Sequence, residues 1–515
     1  MRLGREPQPL VHVAQAEKFE RARARRTLTG VLLLACFVGV IGMATAPEAF
    51  SLALLVLVLA CIAAMSHPVL GVYAIIAFTL VGDAQTTPWW PFTKNMSSRE
   101  SVFFVSDALS ITPLEVVLGV TTLSLLLRAL VQRSVPLRRG RLLWPILVFF
   151  VFVVYGFGNG YVTGGDRNVA ILEARPLFYI AIVYFLATNL LVTRVQYRIA
   201  FTVAMIAVAI QSIASLTYYR TMPEAKRAVI ETLAEHTATV HMNAVLLFVL
   251  GLALFKGTRW KLMASLLMVP PVLWAYLLSQ RRAAMIALFI GFAVVAAILY
   301  RHQPRRFWRI TPFVAVGALG LIAVTWNAEG AIGLPATAIK SVLFPDDLSI
   351  ADRNSNIYRD LEAFNLWVTI QSSPIRGLGF GQKFLIAVPM PDISFFKEWQ
   401  YLPHNSVLWV WIKLGFLGFV ATLFMFARAI QRGTRTALRI KAPDDVAMVT
   451  SCLCYVIMFL VFAYVDIGWD IRPAVFLALC FAVCADFDWV PEGRRVMAAV
   501  RTREHGRPLL VGAPA

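Results

Sequence analysis

Few side chains in this sequence can do chemistry, and the best placed is His404. It stands in Pro403-His404-Asn405-Ser406, directly ahead of the apolar run Val407-Leu-Trp-Val-Trp-Ile. An imidazole titrates near neutrality, so it can take a proton from a hydroxyl. Capping a helix or sitting at an interface is its plainer use. Four arginines offer a second chemistry: Arg175 in Glu173-Ala-Arg175-Pro-Leu-Phe-Tyr179, Arg281 and Arg282 in Ser279-Gln-Arg-Arg282-Ala-Ala, and Arg359. A guanidinium fork matches the oxygens of a phosphate. The segment Gly377-Leu-Gly379-Phe-Gly381 permits a tight turn and close backbone approach. It joins no strand to a helix, so it is not a dinucleotide fingerprint. The six cysteines (Cys36, Cys61, Cys452, Cys454, Cys480, Cys484) all fall in apolar runs and read as packing residues. No cysteine or histidine spacing is that of a metal module. Asp346-Asp347 reads as loop surface and Asp444-Asp445 as a helix start. Neither a metal nor another cofactor is therefore expected.

These residues are held by an unusually apolar chain. Of its 515 residues, 59% are hydrophobic and only 15% charged, against about 45–50% and 25% in soluble domains. Fourteen apolar runs recur between Leu28–Ala46 and Ile471–Ala485. A span needs roughly 20 apolar residues, and the runs lack barrel alternation. The chain thus reads as an all-α polytopic membrane protein of 12–14 transmembrane helices. Val69–Gly82 is short for a full span. The net charge of +19 is mainly a topology signal: with a cytoplasmic N-terminus, 31 of the 48 Lys and Arg fall on the cytoplasmic side. Both termini are then cytoplasmic, and the excess charge meets anionic lipid headgroups rather than nucleic acid.

The expected layout is a basic tail over 1–27, eleven helices over 28–327, a long periplasmic loop over 328–403, three helices over 404–487, and a tail over 488–515. Loops of such length are usually functional. Within this one, Asn354–Ser372 has the apolar pattern of an amphipathic helix carrying Arg359. His404 stands where the loop re-enters the membrane. Arg175, Arg281, Arg282 and Arg359 all fall on the side that the positive-inside rule disfavours. Snorkelling accounts for one such arginine better than for several beside one loop. Such a site suits a lipid-linked diphosphate.

Over residues 175–418 the sequence resembles the bacterial O-antigen ligases and the related Wzy-type surface-polysaccharide polymerases. The resemblance is carried by Ser279-Gln-Arg-Arg282-Ala-Ala, by Arg359 followed by Ser373-Pro-Ile-Arg-Gly377-Leu-Gly-Phe-Gly381, by His404-Asn-Ser-Val-Leu, and by Leu414-Gly-Phe-Leu-Gly418. Arg282 aligns best with the family's arginine, with Arg281 as the alternative. Lys413 stands where the family often has Glu. The resemblance implies a metal-independent glycosyltransferase of the bacterial inner membrane. Its donor would be a glycan on undecaprenyl diphosphate. In that chemistry His404 removes the acceptor proton. Arg282 and Arg175, with Arg359, stabilise the departing diphosphate. One displacement inverts the anomeric carbon. A growing glycan is the favoured acceptor (a polymerase) and lipid A core the alternative (a ligase). The rival from another class is a flippase of lipid-linked oligosaccharides.

Overall fold

The computed structural model describes residues 30, 35–42, 50–107, 109–132, 137–224, 233–328, 330–393 and 396–492. The expected tail over 1–27, part of the first apolar run and the tail beyond 492 lie outside them. The described residues form helices and no strand. Among the described residues, nine helices are long and apolar enough to cross a membrane, and four apolar helices are shorter. The chain is a polytopic helical membrane protein.

In chain order the helices are α1 (Phe50–Ser66), α2 (Pro68–Val81), α3 (Pro113–Gln132), α4 (Leu143–Val162), α5 (Arg167–Leu190), α6 (Arg194–Thr221) and α7 (Ala238–Leu254). Then come α8 (Arg259–Leu266), α9 (Val269–Leu278), α10 (Arg282–His302), α11 (Pro304–Val324), α12 (Gly330–Leu343) and α13 (Ile350–Ser372). Last are α14 (Ser406–Arg439), α15 (Pro443–Val465) and α16 (Ile471–Asp486).

The helices fall into two compact units. The smaller takes in the described residues within 1–74 and 89–132, the larger those within 75–88 and 137–492. In the smaller, α1 packs on α3, and Arg128 of α3 donates to the carbonyls of Met65 and Ser66 at the end of α1 (2.9 and 2.6 Å). In the larger, α15 is central and packs on α7, α10, α14 and α16. Its most apolar window is 83% buried, whereas that of α11 is 0% buried. An apolar helix that buries nothing in protein has lipid as its solvent.

Two helix starts differ from expectation. The amphipathic helix α13 begins four residues early, at Ile350, where Ser349 accepts from the Asp352 N–H. The span expected to start at Arg175 starts at Arg167, because Asp166 caps it through the N–H groups of Asn168 and Val169. Hydropathy does not register caps. Arg175 is therefore more than two turns inside α5 and buried. The stretch between α11 and α13 also contains the short helix α12.

The glycine segment is a structural wedge. α14 breaks at Gly415 (φ 71°), which frees backbone groups that water cannot satisfy in a membrane. The segment supplies them: Leu378 N–H donates to Ile412 O (2.7 Å), and Phe416 N–H donates to Ile375 O (3.1 Å). Its other edge meets α4, with Phe380 N–H donating to Gly156 O (3.1 Å). Gly379 has φ 89°, and a Cβ there would strike the backbone of Gly160. Gly379→Ala adds strain of about 1–2 kcal/mol to overpacking of about 1–3 kcal/mol. The expected result is a lowered thermal midpoint and poor recovery of folded protein. Gly317→Ala, with open space around it, is the control and should not lower the midpoint.

Candidate active site

The site lies within the larger unit, where helix starts and turns meet. Asn405 caps α14 by accepting from the Leu408 N–H (3.0 Å), which fixes His404 just outside the helix. The His404 N–H donates to Glu362 Oε2 (2.8 Å), and Nδ1 lies 3.3 Å from the same carboxylate. Glu362 is buried on α13 while His404 remains 21% exposed. A carboxylate on Nδ1 fixes the tautomer and leaves Nε2 to accept a proton. Tyr358, one turn before Glu362, packs edge-on against the His404 ring (5.6 Å). Burial and then the Glu362 charge push its phenol upward, so it stays protonated.

Arg281 and Arg282 enter from the turn between α9 and α10. Gln280 holds that turn with φ 45°, a left-handed conformation costly for a residue with a side chain. The two arginines part from there. Arg281 reaches Asp466, Nη1 to Oδ2 3.5 Å. Arg282 reaches Asp352 at the start of α13, Nε to Oδ1 3.4 Å. Arg359, on α13 between Tyr358 and Glu362, adds its charge to the field on Asp466. Its Nε is buried and makes no hydrogen bond among the described residues.

Asp466, in the turn between α15 and α16, is the hub. Its side chain is 1% exposed, with His236 Nδ1 2.6 Å from Oδ1. Burial opposes ionisation, but the charges of His236 and Arg281, the His236 hydrogen bond and Arg359 outweigh it. The carboxyl is held well below the usual range. Ser406 Oγ donates to Asp466 O (3.1 Å), and Gly468 N–H donates back to Ser406 Oγ (2.7 Å). The His236 and His404 rings are 6.3 Å apart.

Contacts around Asp466 and Glu362 bring together His404, Arg281 and Arg359, while Arg282, next to Arg281, pairs with Asp352 at the start of α13. Arg175 sits buried on α5, two residues after Glu173. Glu173 pairs with Lys413 of α14 (2.6 Å), both fully buried. It also accepts from the Gly381 N–H (2.6 Å) and from Trp409 Nε1 (3.4 Å).

Residues 272–423 match the family model described as O-antigen ligase. That segment is similar to the O-antigen ligases. It takes in Arg281, Arg282, Arg359, Glu362, His404 and Lys413, so the ligase-type segment carries most of the cluster. Arg175, His236 and Asp466 lie outside it. The chain is also 27% identical over 77 residues to the O-antigen ligase of Salmonella typhimurium strain LT2. That stretch is 14% of this chain and 19% of the relative, so the match spans about a fifth of the relative's length.

Sequence reasoning gave no role to Glu362, His236 or Asp466. Glu362 had a signal, since it lies three residues from Arg359 and so shares its helix face. Asp466 had a weaker one, a carboxylate in the short link between two apolar runs. Nothing linear pairs it with His236.

Proposed function

We propose that the protein is a glycosyltransferase that moves a glycan from undecaprenyl diphosphate to an acceptor hydroxyl at the outer face of the bacterial inner membrane, inverting the anomeric carbon. The observation that carries this reading is the His404–Glu362 pair beside three arginines. His404 Nε2 takes the acceptor proton while the hydroxyl oxygen attacks the anomeric carbon. The diphosphate leaves with the electron pair of the broken bond, and Arg281, Arg282 and Arg359 stabilise its charge. A diphosphate is already a good leaving group, so the second carboxylic acid of a glycosidase is not required. Arg282 exchanges Asp352 for the phosphate, whose oxygens its fork also grips in pairs. Arg175, farther along α5, is assigned to the lipid-diphosphate path. The chemistry of these groups calls for no metal and no nucleotide. Both termini are assigned to the cytoplasm by the basic loops.

Two acceptors fit the site equally: a growing glycan or lipid A core. The name of the family model and of the Salmonella relative favours the second, a ligase. The glycan left in a deletion strain decides. Full-length polymer stranded on undecaprenyl carrier is expected of a lost ligase, and single repeat units of a lost polymerase. A strain whose glycan reaches its acceptor unchanged would overturn both. Transport of the lipid-linked donor is less favoured, because the cluster lies at the ends of spanning helices and on α13, not mid-span.

A further inference from the structure

His236 and Asp466 have no part in the chemistry above, yet they stand beside it. His236 Nδ1 lies 2.6 Å from Asp466 Oδ1, and the carboxylate is buried while the imidazole is 32% exposed. The backbone at His236 is fixed from behind. Glu235 N–H donates to Asp83 Oδ2 (3.2 Å), and Arg472 bridges Asp83 (2.8 Å) and Glu235. Ser406, two residues beyond His404, donates to the Asp466 carbonyl. Two imidazoles are thus built on one scaffold, each held at Nδ1 by a buried carboxylate. Neither Nε2 makes a hydrogen bond among the described residues.

Two neighbouring imidazoles with open Nε2 atoms can serve the two ends of one displacement. An inverting reaction needs one group behind the attacking oxygen and another at the departing oxygen, on opposite faces of the sugar. Inverting glycosidases place their paired carboxyls roughly 6.5–9.5 Å apart for this reason. The ring centroids of His236 and His404 are 6.3 Å apart, close to but just under that range. Among the described residues, His404 pairs with Glu362 alone. His236 shares its carboxylate with Arg281, which places it on the cationic side of the cluster.

We propose that His236, held by Asp466, is a second catalytic residue that hydrogen-bonds the diphosphate oxygen as it leaves the anomeric carbon, opposite His404. The inference rests on the glycan-transfer reading. The acceptor hydroxyl gives its proton to His404 Nε2, and its oxygen bonds to the anomeric carbon. The bond from that carbon to the diphosphate oxygen breaks, and its electron pair stays on the oxygen. His236 Nε2–H donates a hydrogen bond to that oxygen and keeps its proton. His404 then returns its proton to solvent.

Two near-isosteric substitutions separate this role from a structural one. His236→Asn keeps an amide where Nδ1 meets Asp466 and removes the Nε2 donor. His236→Gln places an amide donor near the Nε2 position. With purified full-length protein, H236N is expected to lower kcat for glycan transfer about 10²–10³-fold, with the KM for the acceptor unchanged. It should weaken binding of undecaprenyl diphosphate about tenfold. H236Q is expected to recover part of kcat. Equal kcat in H236N and wild type would overturn the proposal, as would folded H236Q no better than H236N. Should H236N fail to fold, Asp466→Asn takes its place and must lower kcat with Arg281 intact. If wild-type protein neither transfers glycan nor binds undecaprenyl diphosphate, the glycan-transfer reading fails instead.

Discussion

Replacing His404 with Gln is expected to lower glycan transfer about 10²–10⁴-fold, the usual worth of a positioned base. Gln fills similar space, and the backbone N–H at 404 still donates to Glu362 (2.8 Å), so the α13 contact survives through the main chain. Gln cannot accept a proton at neutral pH. The rate should fall through kcat while undecaprenyl diphosphate binds as before, since the arginines hold the phosphates. Glu362→Gln should fall less, because His404 keeps its ring and loses only the partner at Nδ1 (3.3 Å). A His404→Gln protein that folds, binds and transfers at the wild-type rate would remove the base from the mechanism.

Lys413→Met is expected to cost about 3–5 kcal/mol of stability, because it leaves Glu173 buried without its cation. Both side chains are fully buried with Nζ 2.6 Å from Oε1, and Lys413 also donates to Gln382 O (2.6 Å). Glu173 in turn holds the Gly381 N–H (2.6 Å). The pair therefore clamps the glycine wedge between α5 and the break in α14. The exchange Glu173→Lys with Lys413→Glu keeps one charge of each sign and is expected to recover most of the loss. Thermal unfolding of the two single variants and the exchanged pair is the measurement. Independent effects that simply add in the exchange would refute the clamp.

The sequence made one chemical feature of Lys413 visible, its departure from the Glu of the resembling family, but not its consequence. Its partner lies 240 positions earlier on another helix. The same distance in sequence hides Asp466, whose partners His236, Arg281 and Ser406 sit in separate segments. Short-range signals fared better. The alternation of apolar and polar residues in Asn354–Ser372 gave α13 and its arginine. The Pro403-His404-Asn405-Ser406 run gave a histidine at a helix start. What failed was placement by hydropathy alone: α5 starts at a cap, Asp166, which is polar and preceded by glycines. The glycines of 377–381 were legible as a close approach, but not what they approach, which is the backbone of Gly160 and Gly415.

The most direct measurement follows undecaprenyl diphosphate released from undecaprenyl-diphosphate-linked glycan by purified full-length protein, with acceptor present, for wild type and His404→Gln. The expected result is release with the diphosphate intact, glycan on the acceptor with inverted configuration, and loss of both in the variant. Retained configuration, release of undecaprenyl monophosphate, or equal turnover by the variant would contradict it.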